Sequence, residues 1–512
     1  MKSGLRLVAL LLALALLSGF ALAEDIFLPD EAVEVGALDG IDGTLEPEAL
    51  DGIDAPALDI GEAPLVSEEP ATVVEDNASA VAINKANFPA KALRDYVKAN
   101  FDADGDGKLS KAECEAVTEI FVRDRTSYEE GTNPVTCATL KGIEHFPNLE
   151  CLHACGCGLT ELDVSANTSL IELECKDNAI RKLDVSRNTQ LIRLVCEQNP
   201  LKKLDVTKNT NLEVLGCHTN LLKTLDVSKC TKLKELYCSE NSLTKLDVSH
   251  NPKLVILSCF YNKLTALDLK NNTRLETLHC GPNRLKTLDV SMCPRLINLE
   301  CLDNQLKTLD VSKNTKLEIL YAYRNKLKSL DVSRNRSLKE LLVFGNQLKA
   351  LDVSRNTKLT LLYVFSNRIS SLDVRKNTAL KELSCGDNLL KKLDVSKNTK
   401  LEYLSCMENQ LKTLDVSKNT RLIGLYCSDN KLKALDVSRN RKLEALVIHG
   451  NAITEIDIAK CQKVQDAMNL KKKATRTTVA WGTEEEYGFE ARLSVDKATR
   501  VLAGDKVLYP QK

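Results

Sequence analysis

A twelve-residue segment near the amino terminus carries oxygen donors at the spacing that a hard divalent cation requires. The donors are the carboxylates of Asp102, Asp104 and Asp106, the main-chain carbonyl of Lys108, the hydroxyl of Ser110 acting through a water, and the carboxylate of Glu113. They occupy positions one, three, five, seven, nine and twelve, which are the ligand positions of a helix-flanked calcium loop. Gly107 at position six permits the sharp bend that such a loop contains. The sequence therefore predicts a Ca²⁺ site here.

The calcium loop stands alone, whereas loops of this EF-hand type usually occur in pairs. We therefore expect a modest affinity, in the range of about 10⁻⁴–10⁻³ M that extracellular modules show. Residues 89–101 are expected to form the entering helix, with Leu93, Val97 and Phe101 on one face. We expect the site to be a structural clasp for the segment that follows. The alternative is a loop that keeps its shape without metal.

Eighteen cysteines form the second group of reactive side chains. Ten of them share one position of a 21-residue repeat, namely Cys175, Cys196, Cys217, Cys238, Cys259, Cys280, Cys301, Cys385, Cys406 and Cys427. Side chains at this position point inward in parallel, so we expect a buried ladder of free thiols; a disulfide needs converging Cβ atoms about 3.8 Å apart. Five others lie close to the start of the solenoid, namely Cys114, Cys137, Cys151, Cys155 and Cys157. For these we expect one or two disulfides, with a metal site that includes His153 as the alternative.

The histidines do not form a recognisable catalytic group. They are scattered along the chain at His145, His153, His218, His250, His279 and His449. No nucleophile motif, phosphate loop or zinc pattern accompanies them, whereas an active site needs titratable groups that converge. We therefore expect a binding protein and not an enzyme.

An unbroken repeat positions these side chains. Leu-Asp-Val or a close variant occurs fifteen times between Leu162 and Ile458, always 21 residues apart. A fixed period of this length is typical of a solenoid, in which each turn is too small to bury its own apolar side and neighbouring turns share one core.

Residues 170–190 show how one turn is built. Leu173 and Cys175 are two residues apart in a short strand, so both point into the core. Asn178 is placed to satisfy main-chain groups at the first bend. The second half repeats this arrangement and ends at Asn188, a position that cysteine takes in three other turns, at Cys230, Cys293 and Cys461. We expect a nested 10 + 11 unit with short parallel strands on both sides and no convex helix.

The repeat Leu-x-x-Leu-x-Cys-x-x-Asn-x-Leu-x-x-Leu-Asp-Val-Ser-x-Asn-Thr resembles the nested, 21-residue (IRREKO-type) class of bacterial leucine-rich repeats. The chain also resembles exported bacterial proteins in which such repeats follow a single calcium loop. The resemblance covers roughly residues 85–461. It implies a mainly β leucine-rich repeat solenoid, with a small helical EF-hand-like segment before it and a β-rich cap after it.

The chain divides into six segments by composition. We expect a signal peptide at 1–23, an acidic disordered linker at 24–84, an EF-hand-like segment at 85–123, a connector at 124–148, a solenoid of fifteen repeats at 149–461 and a β-rich cap at 462–512. A basic start, a short apolar run and small residues before an expected cut after Ala23 predict a secreted, periplasmic or cell-surface protein without a membrane span. Residues 24–84 hold 17 Asp or Glu and no Lys or Arg, which favours disorder. Contact between this stretch and a basic solenoid is the alternative.

Recognition is expected on the concave face, at the outward strand positions on either side of the inward leucine and cysteine. The candidate partner-binding residues are Phe260, Tyr261, Tyr321, Tyr323, Leu342, Phe344, Tyr363, Phe365 and Tyr403. Three consecutive turns hold the densest group, which we expect to form one exposed apolar patch of the kind that marks interaction sites. Stacking that only stabilises the sheet is the alternative.

An unknown protein is the partner that we expect, with interaction or adhesion as the function and a monomer as the oligomeric state. The alternative is a glycan or an anionic cell-envelope polymer, because residues 85–512 carry a net charge of about +14. Lysines recur after the first bend, at Lys203, Lys223, Lys286, Lys307, Lys328, Lys349, Lys412 and Lys433. No nucleic-acid partner is expected, because aromatic residues do not interleave with this basic edge.

Overall fold

The computed structural model describes residues 80–123, 137–474, 478–485 and 488–509. These residues belong to the second of two compact units, Asn77–Lys512. The predicted signal peptide, the acidic linker as far as residue 79 and residues 124–136 of the connector lie outside the described residues. Within the described part, no helix is both long and apolar enough to cross a bilayer.

Strands dominate the described residues and helices are few. The helices are α1 Lys91–Asn100, α2 Lys111–Ala116, a 3₁₀ helix Ile143–His145 and α3 Gln462–Ala467. The strands before the repeats are β1 Val81–Ala82, β2 Lys108–Leu109, β3 Glu119–Arg123 and β4 Cys151–Cys155. The repeats contribute β5 Leu162–Asp163, β6 Glu172–Glu174, β7 Leu183–Asp184, β8 Arg193–Val195, β9 Val214–Gly216, β10 Glu235–Tyr237, β11 Ile256–Ser258, β12 Thr277–His279, β13 Asn298–Glu300, β14 Ile319–Tyr321, β15 Glu340–Leu342, β16 Leu361–Tyr363, β17 Glu382–Ser384, β18 Tyr403–Ser405, β19 Gly424–Tyr426, β20 Ala445–Val447 and β21 Glu455–Asp457. The carboxyl-terminal strands are β22 Lys471–Ala474, β23 Thr478–Glu485, β24 Gly488–Asp496, β25 Arg500–Ala503 and β26 Lys506–Tyr509.

One long parallel sheet runs through the repeats. Its fourteen three-residue strands, β6 and β8 to β20, each begin 21 residues after the previous one. Neighbouring strands pair in register, as Leu320 pairs with Leu341 and Leu341 with Leu362. The central leucine of each strand is buried, and the residues on either side of it point outward. The predicted mainly β solenoid is confirmed; we call the outward side of this sheet the strand face.

The inward side of the sheet is a continuous core of leucine, valine and cysteine. All ten ladder cysteines have no exposed surface and are free thiols, as predicted. Burial raises the pKa of the Cys259 thiol to about 12. These thiols therefore stay protonated at neutral pH and act as small apolar side chains.

The cysteines of the amino-terminal cap do not form the predicted disulfides. Cys114, Cys137 and Cys151 are free thiols. Cys157 Sγ donates a hydrogen bond to the main-chain oxygen of Cys155 at 3.3 Å. Cys151 and Cys155 lie on one strand four residues apart, which separates them by about 13 Å, whereas a disulfide needs Cα atoms within about 7 Å. The prediction of one or two disulfides is therefore wrong.

The Leu-Asp-Val segments line the side of the solenoid opposite the main sheet. The first two of these segments pair with each other as strands, so that Leu162 lies opposite Leu183. The last one forms β21, which pairs with β25 of the carboxyl-terminal cap. Between these ends they keep the same alternation of buried and exposed side chains without a regular ladder. Each aspartate accepts a hydrogen bond from the main chain two residues on, as Asp184 Oδ1 does from Ser186 N at 2.9 Å.

A first row of asparagines satisfies the bend after each strand and uses both ends of the amide. In Asn346, Oδ1 accepts a hydrogen bond from Leu327 N of the preceding turn at 3.0 Å. Its Nδ2 donates to three main-chain oxygens at 3.0–3.3 Å. Every turn from Asn178 to Asn451 has asparagine at this position.

A second row of asparagines closes the opposite bend and uses only the donor end of the amide. Asn335 Nδ2 donates to Val311 O at 2.9 Å and to Asn314 O at 2.8 Å. Its Oδ1 is buried and has no hydrogen-bond partner among the described residues. The same holds for Asn167, Asn188, Asn209, Asn251, Asn272, Asn314, Asn356, Asn377, Asn398, Asn419 and Asn440.

Both ends of the main sheet are extended by strands outside the repeats, so the first and last repeat strands are not edge strands. At the beginning, β3 pairs with β4 and β4 pairs with β6, all in parallel. At the end, β24 pairs with β20, and β22 and β23 extend it as an antiparallel sheet. On the opposite side, β25 pairs with β21. The predicted β-rich carboxyl-terminal cap is therefore present.

Candidate functional site

The predicted calcium loop lies between α1 and α2 and brings its first three acidic side chains together. Carboxylate oxygens of Asp102, Asp104 and Asp106 all lie within 4.8 Å of one another. Oδ1 of Asp102 is buried and has no hydrogen-bond partner within the described residues. A buried, unpartnered carboxylate oxygen is costly unless a cation or donor satisfies it. The residues present therefore fit a cation at the predicted position.

The loop backbone is held by its own carboxylates. Gly107 N donates to Asp102 Oδ2 at 3.2 Å, and Lys108 N donates to Asp106 Oδ1 at 2.7 Å. Gly107 has a φ of 84°, in the left-handed region that glycine adopts without strain. The carbonyl of Lys108, and not its side chain, is the predicted ligand.

Glu113 connects the loop to α2. Its two carboxylate oxygens accept from Ala103 N at 2.7 Å and from Ser110 N at 2.8 Å. Ser110 in turn accepts from Glu113 N through its hydroxyl at 3.2 Å, which completes a capping box. Partial burial raises the pKa of Glu113, but the hydrogen bonds from Ser110 and Ala103 outweigh it and hold that pKa below its usual value. The carboxylate is therefore ionised and next to the loop at neutral pH.

A short strand outside the loop replaces the partner loop that the sequence lacks. β1 pairs antiparallel with β2, so that Val81 lies opposite Leu109 and Ala82 opposite Lys108. Leu109 is fully buried. The two-residue strand was not predicted, because Val81 and Ala82 follow an acidic, low-complexity stretch and show no periodicity of their own.

Aromatic side chains join the loop segment to the start of the solenoid. The rings of Phe101 and Phe146 meet edge to face with centroids 5.5 Å apart. Phe88 is fully buried beside Phe146, with centroids 6.3 Å apart. Gly142 makes room for this ring, since a Cβ there would lie 2.2 Å from Cδ1 of Phe88. The first turns of the solenoid are therefore packed directly on the loop segment.

The aromatic group on the strand face is a stack and not the exposed patch that was predicted. Tyr323, Phe344 and Phe365 stack almost parallel, with successive centroids 4.3 and 4.2 Å apart. Leu342, Phe344, Tyr363 and Phe365 keep only 3–6% of their surface exposed. In-register parallel strands place equivalent side chains about 4.8 Å apart, so flat rings cover one another. The expectation that these four would be exposed is wrong.

The other predicted partner-binding residues are more accessible. Tyr261 is the most exposed, at 59%, and its ring contacts Phe260 edge to face at 5.7 Å. Phe260, Tyr321, Tyr323 and Tyr403 are half-buried. These residues occupy several turns of the strand face and do not form one cluster.

Carboxylates on the strand face were missed at the sequence level. Tyr363 Oη donates to Glu382 at 2.7 Å, and Tyr321 donates to Glu340 in the same way. Burial, followed by the bonded Glu340, raises the pKa of Tyr321 well above its usual value, so the phenol remains a donor. The signal was present, because Glu340 and Glu382 stand at the first strand position, an outward position that Tyr403 takes in its own turn.

A second polar cluster lies at the start of the strand face. Nε2 of His153 and carboxylate oxygens of Glu172 and Glu174 lie within 4.8 Å of one another. Arg193 already bridges the carboxylates, at 3.1 Å from Glu172 Oε1 and 2.9 Å from Glu174 Oε1. The ring of His153, whose Nε2 lies 3.4 Å from Glu172 Oε1, lowers the pKa of Glu172 more than burial raises it. Since the arginine supplies the opposing charge, this cluster is a side-chain ion network.

Comparisons with solved structures find other solenoids of this kind. The functional domain of InlJ from Listeria monocytogenes, described as including a cysteine ladder, is 30% identical, with 80% of this chain and 87% of that domain covered and a TM-score of 0.65. A leucine-rich repeat protein of Leptospira interrogans is 22% identical, with 67% and 92% covered and a TM-score of 0.57. The internalin InlF of Listeria monocytogenes is 21% identical, with 72% and 97% covered and a TM-score of 0.51. No protein-family model and no curated protein matches the chain.

The likeness to InlJ extends beyond the fold. The other two structures are below 25% identical and show the fold alone. The InlJ domain combines 30% identity with coverage of most of both chains, and this chain also has a buried row of cysteines, from Cys175 to Cys427. The chain belongs to the leucine-rich repeat family of solenoid proteins.

Proposed function

We propose that this protein recognises a protein partner through the strand face, and that it does so outside the cytoplasm, as a secreted, periplasmic or cell-surface protein. The observation that carries the proposal is the difference between the two sides of one sheet. The inward positions repeat leucine and cysteine in turn after turn, whereas the outward positions change between aromatic, acidic and small residues. Packing accounts for the inward uniformity. The outward variety is the feature expected of a binding surface.

Site-specific photo-crosslinking tests this proposal without knowledge of the partner. A photoreactive phenylalanine analogue replaces Tyr403 on the strand face or Tyr261 at the bend beside it, and Lys307 or Lys412 on the basic edge as matched controls. Extracellular and surface fractions of the source cells and of contacting cells are then offered to each protein. We expect a discrete protein adduct from the strand-face positions and none from the controls. Adducts from the lysine positions alone, or a glycan and no protein at Tyr261, would contradict the proposal.

We also propose that Ca²⁺ binds the loop from Asp102 to Glu113 and stabilises the amino-terminal cap. The support is the matching donor set, the buried and unpartnered Oδ1 of Asp102, and the packing of Phe101 on Phe146. A bound cation supplies the positive charge that this cluster of carboxylates lacks. The carboxylates of the loop and the carbonyl of Lys108 would hold it.

Thermal unfolding of the full chain tests the calcium proposal. Millimolar Ca²⁺ should stabilise the folded wild type by RT ln(1 + [L]/Kd), where [L] is the free Ca²⁺ concentration. If Kd is about 10⁻⁴ M, this stabilisation raises the Tm by a few degrees. Glu113→Gln should abolish this increase and keep the capping box, since glutamine also serves at that position. Glu115→Gln, an exposed change on the same helix, is the control. An equal increase in both variants would refute the site.

A further inference from the structure

The strand face is acidic although the solenoid as a whole is basic. The outward positions are the first, third and fifth residues counted from the start of each main-sheet strand, β6 and β8 to β20. They carry seven carboxylates, namely Glu172, Glu174, Glu197, Glu235, Glu300, Glu340 and Glu382, against two basic side chains, Lys176 and Arg193, and three histidines, His218, His279 and His449. His218 lies 2.9 Å from Glu197 and His279 lies 3.5 Å from Glu300. All seven glutamates are half-buried and not freely solvated.

The rim beside these positions adds to the same charge. The residue just before each first-row asparagine is acidic in six turns, at Asp177, Glu240, Asp303, Asp387, Glu408 and Asp429, and basic only at Arg324. Burial, followed by the neighbouring Asp387 and Asp429, raises the pKa of Glu408. Like charges therefore crowd one another where Asp387, Glu408 and Asp429 follow in consecutive turns, and a cationic ligand would relieve that repulsion.

The carboxylates are held in fixed positions among aromatic rings. The phenol of Tyr363 donates to Glu382 at 2.7 Å, and that of Tyr237 donates to Glu235 at 3.0 Å. Tyr261 leaves most of its ring exposed close to this row. Oriented carboxylates next to accessible aromatic faces suit lysine and arginine side chains, through charge-assisted hydrogen bonds and cation–π contacts.

We propose that the strand face binds an extended, cationic polypeptide segment, in which lysine or arginine alternates with smaller or apolar residues. The inference rests on the proposed function and adds the chemistry of the partner. An extended chain suits this face because acidic positions recur along the stacked strands at multiples of about 4.8 Å. Anionic polymers are disfavoured on this face, since the charge is of the wrong sign.

Peptide titration of the full chain tests the inference. The probe is the fluorescent decapeptide (Lys-Ser-Tyr-Lys-Gly)₂, and its counterpart has glutamate for each lysine. The variant Glu300→Gln/Glu340→Gln/Glu382→Gln removes three strand-face charges and keeps an oxygen for the Tyr321 and Tyr363 phenols to bond. The control Glu115→Gln/Glu161→Gln/Asp505→Asn removes three exposed charges elsewhere. Urea midpoints establish that each variant is folded.

We expect the lysine peptide to bind, the glutamate peptide not to bind, and affinity to fall about tenfold in the strand-face variant and less than twofold in the control. Equal losses in both variants, or tighter binding of the glutamate peptide, would overturn the inference. So would a dimer, seen by sedimentation velocity, that the strand-face variant dissolves, because the occupant would then be a second copy of the chain. A protein adduct at Tyr261 without peptide binding would leave the proposed function standing and remove only the cationic partner.

Discussion

The two asparagine rows should respond differently to the same substitution, and this difference can be worked out from their hydrogen bonds. Asn335→Cys changes a second-row residue whose Oδ1 has no partner among the described residues. Cysteine already stands at this position in three turns, and Cys230 Sγ lies 3.6 Å from Val206 O and 3.7 Å from Asn209 O. These are the oxygens that a second-row amide would use. The thiol keeps a weak donor and removes an unsatisfied acceptor.

The matched change Asn346→Cys in the first row has no such compensation. It leaves Leu327 N, a buried main-chain donor, without its acceptor, and a thiol has one weakly donated hydrogen where the amide has two strongly donated ones. One orphaned buried donor costs about 1–3 kcal/mol, whereas the second-row change should cost less than about 1 kcal/mol. The sequence agrees, since from Asn178 to Asn451 the first row is always asparagine, and cysteine takes the equivalent position only at Cys157, in the first turn.

Urea unfolding of the two variants, followed by circular dichroism, measures this difference. We expect a clear fall in the midpoint for Asn346→Cys, a small one for Asn335→Cys, and unchanged slopes. Cys293→Asn provides the reverse change and should be close to neutral. Equal destabilisation by the two asparagine changes, or a larger effect of Asn335→Cys, would refute the reasoning about the acceptor end of the amide.

Two further predictions follow from the packing and the charges. Phe344→Ala, in the middle of the aromatic stack, should lower the free energy of unfolding by about 3–5 kcal/mol. Tyr261→Ala, at an exposed ring, should change it by no more than about 0.5 kcal/mol. Similar urea midpoints for the two variants would show that the stack is not a core element. Hydrogen bonds from Arg375 lower the pKa of Asp373 to about 2, and bonds from Ser312 to Asp310 and from equivalent residues lower the others in that row. Because these pKa values are lower in the folded state, the ionised aspartates stabilise the folded protein fully above about pH 4, and this contribution is lost as the pH falls toward 2. A Tm that stays constant from pH 4 to 2.5 would contradict this prediction.

The repeat register made most of the fold predictable. Because the period is constant, one turn gave the inward leucine and cysteine and both asparagine positions for every turn, and the structure confirms the thiol ladder. Register alone could not show how outward side chains cover one another. Phe344 and Phe365 were placed correctly on the strand face, but their burial depends on ring stacking between turns.

Contacts between segments that are far apart in the sequence, or that have little pattern of their own, could not be predicted from the sequence. The pairing of Val81 with Leu109 joins a two-residue strand to the loop, and nothing in the local composition specifies it. The disulfide expectation failed because cysteine spacing does not tell whether two thiols lie on the same strand, as Cys151 and Cys155 do. Glu340 and Glu382 were passed over because glutamate on a surface usually has no specific role; their value depends on the tyrosine partners.

The most direct test of a recognition role for the strand face is carboxyl labelling of the full chain with and without the partner captured at Tyr261. Carbodiimide coupling followed by mass spectrometry reads each glutamate separately. Binding should lower the labelling of Glu300, Glu340 and Glu382 and leave the labelling of Glu161 unchanged. Unaltered labelling of the three strand-face glutamates, with protection at Glu161 or along the lysine edge, would contradict it.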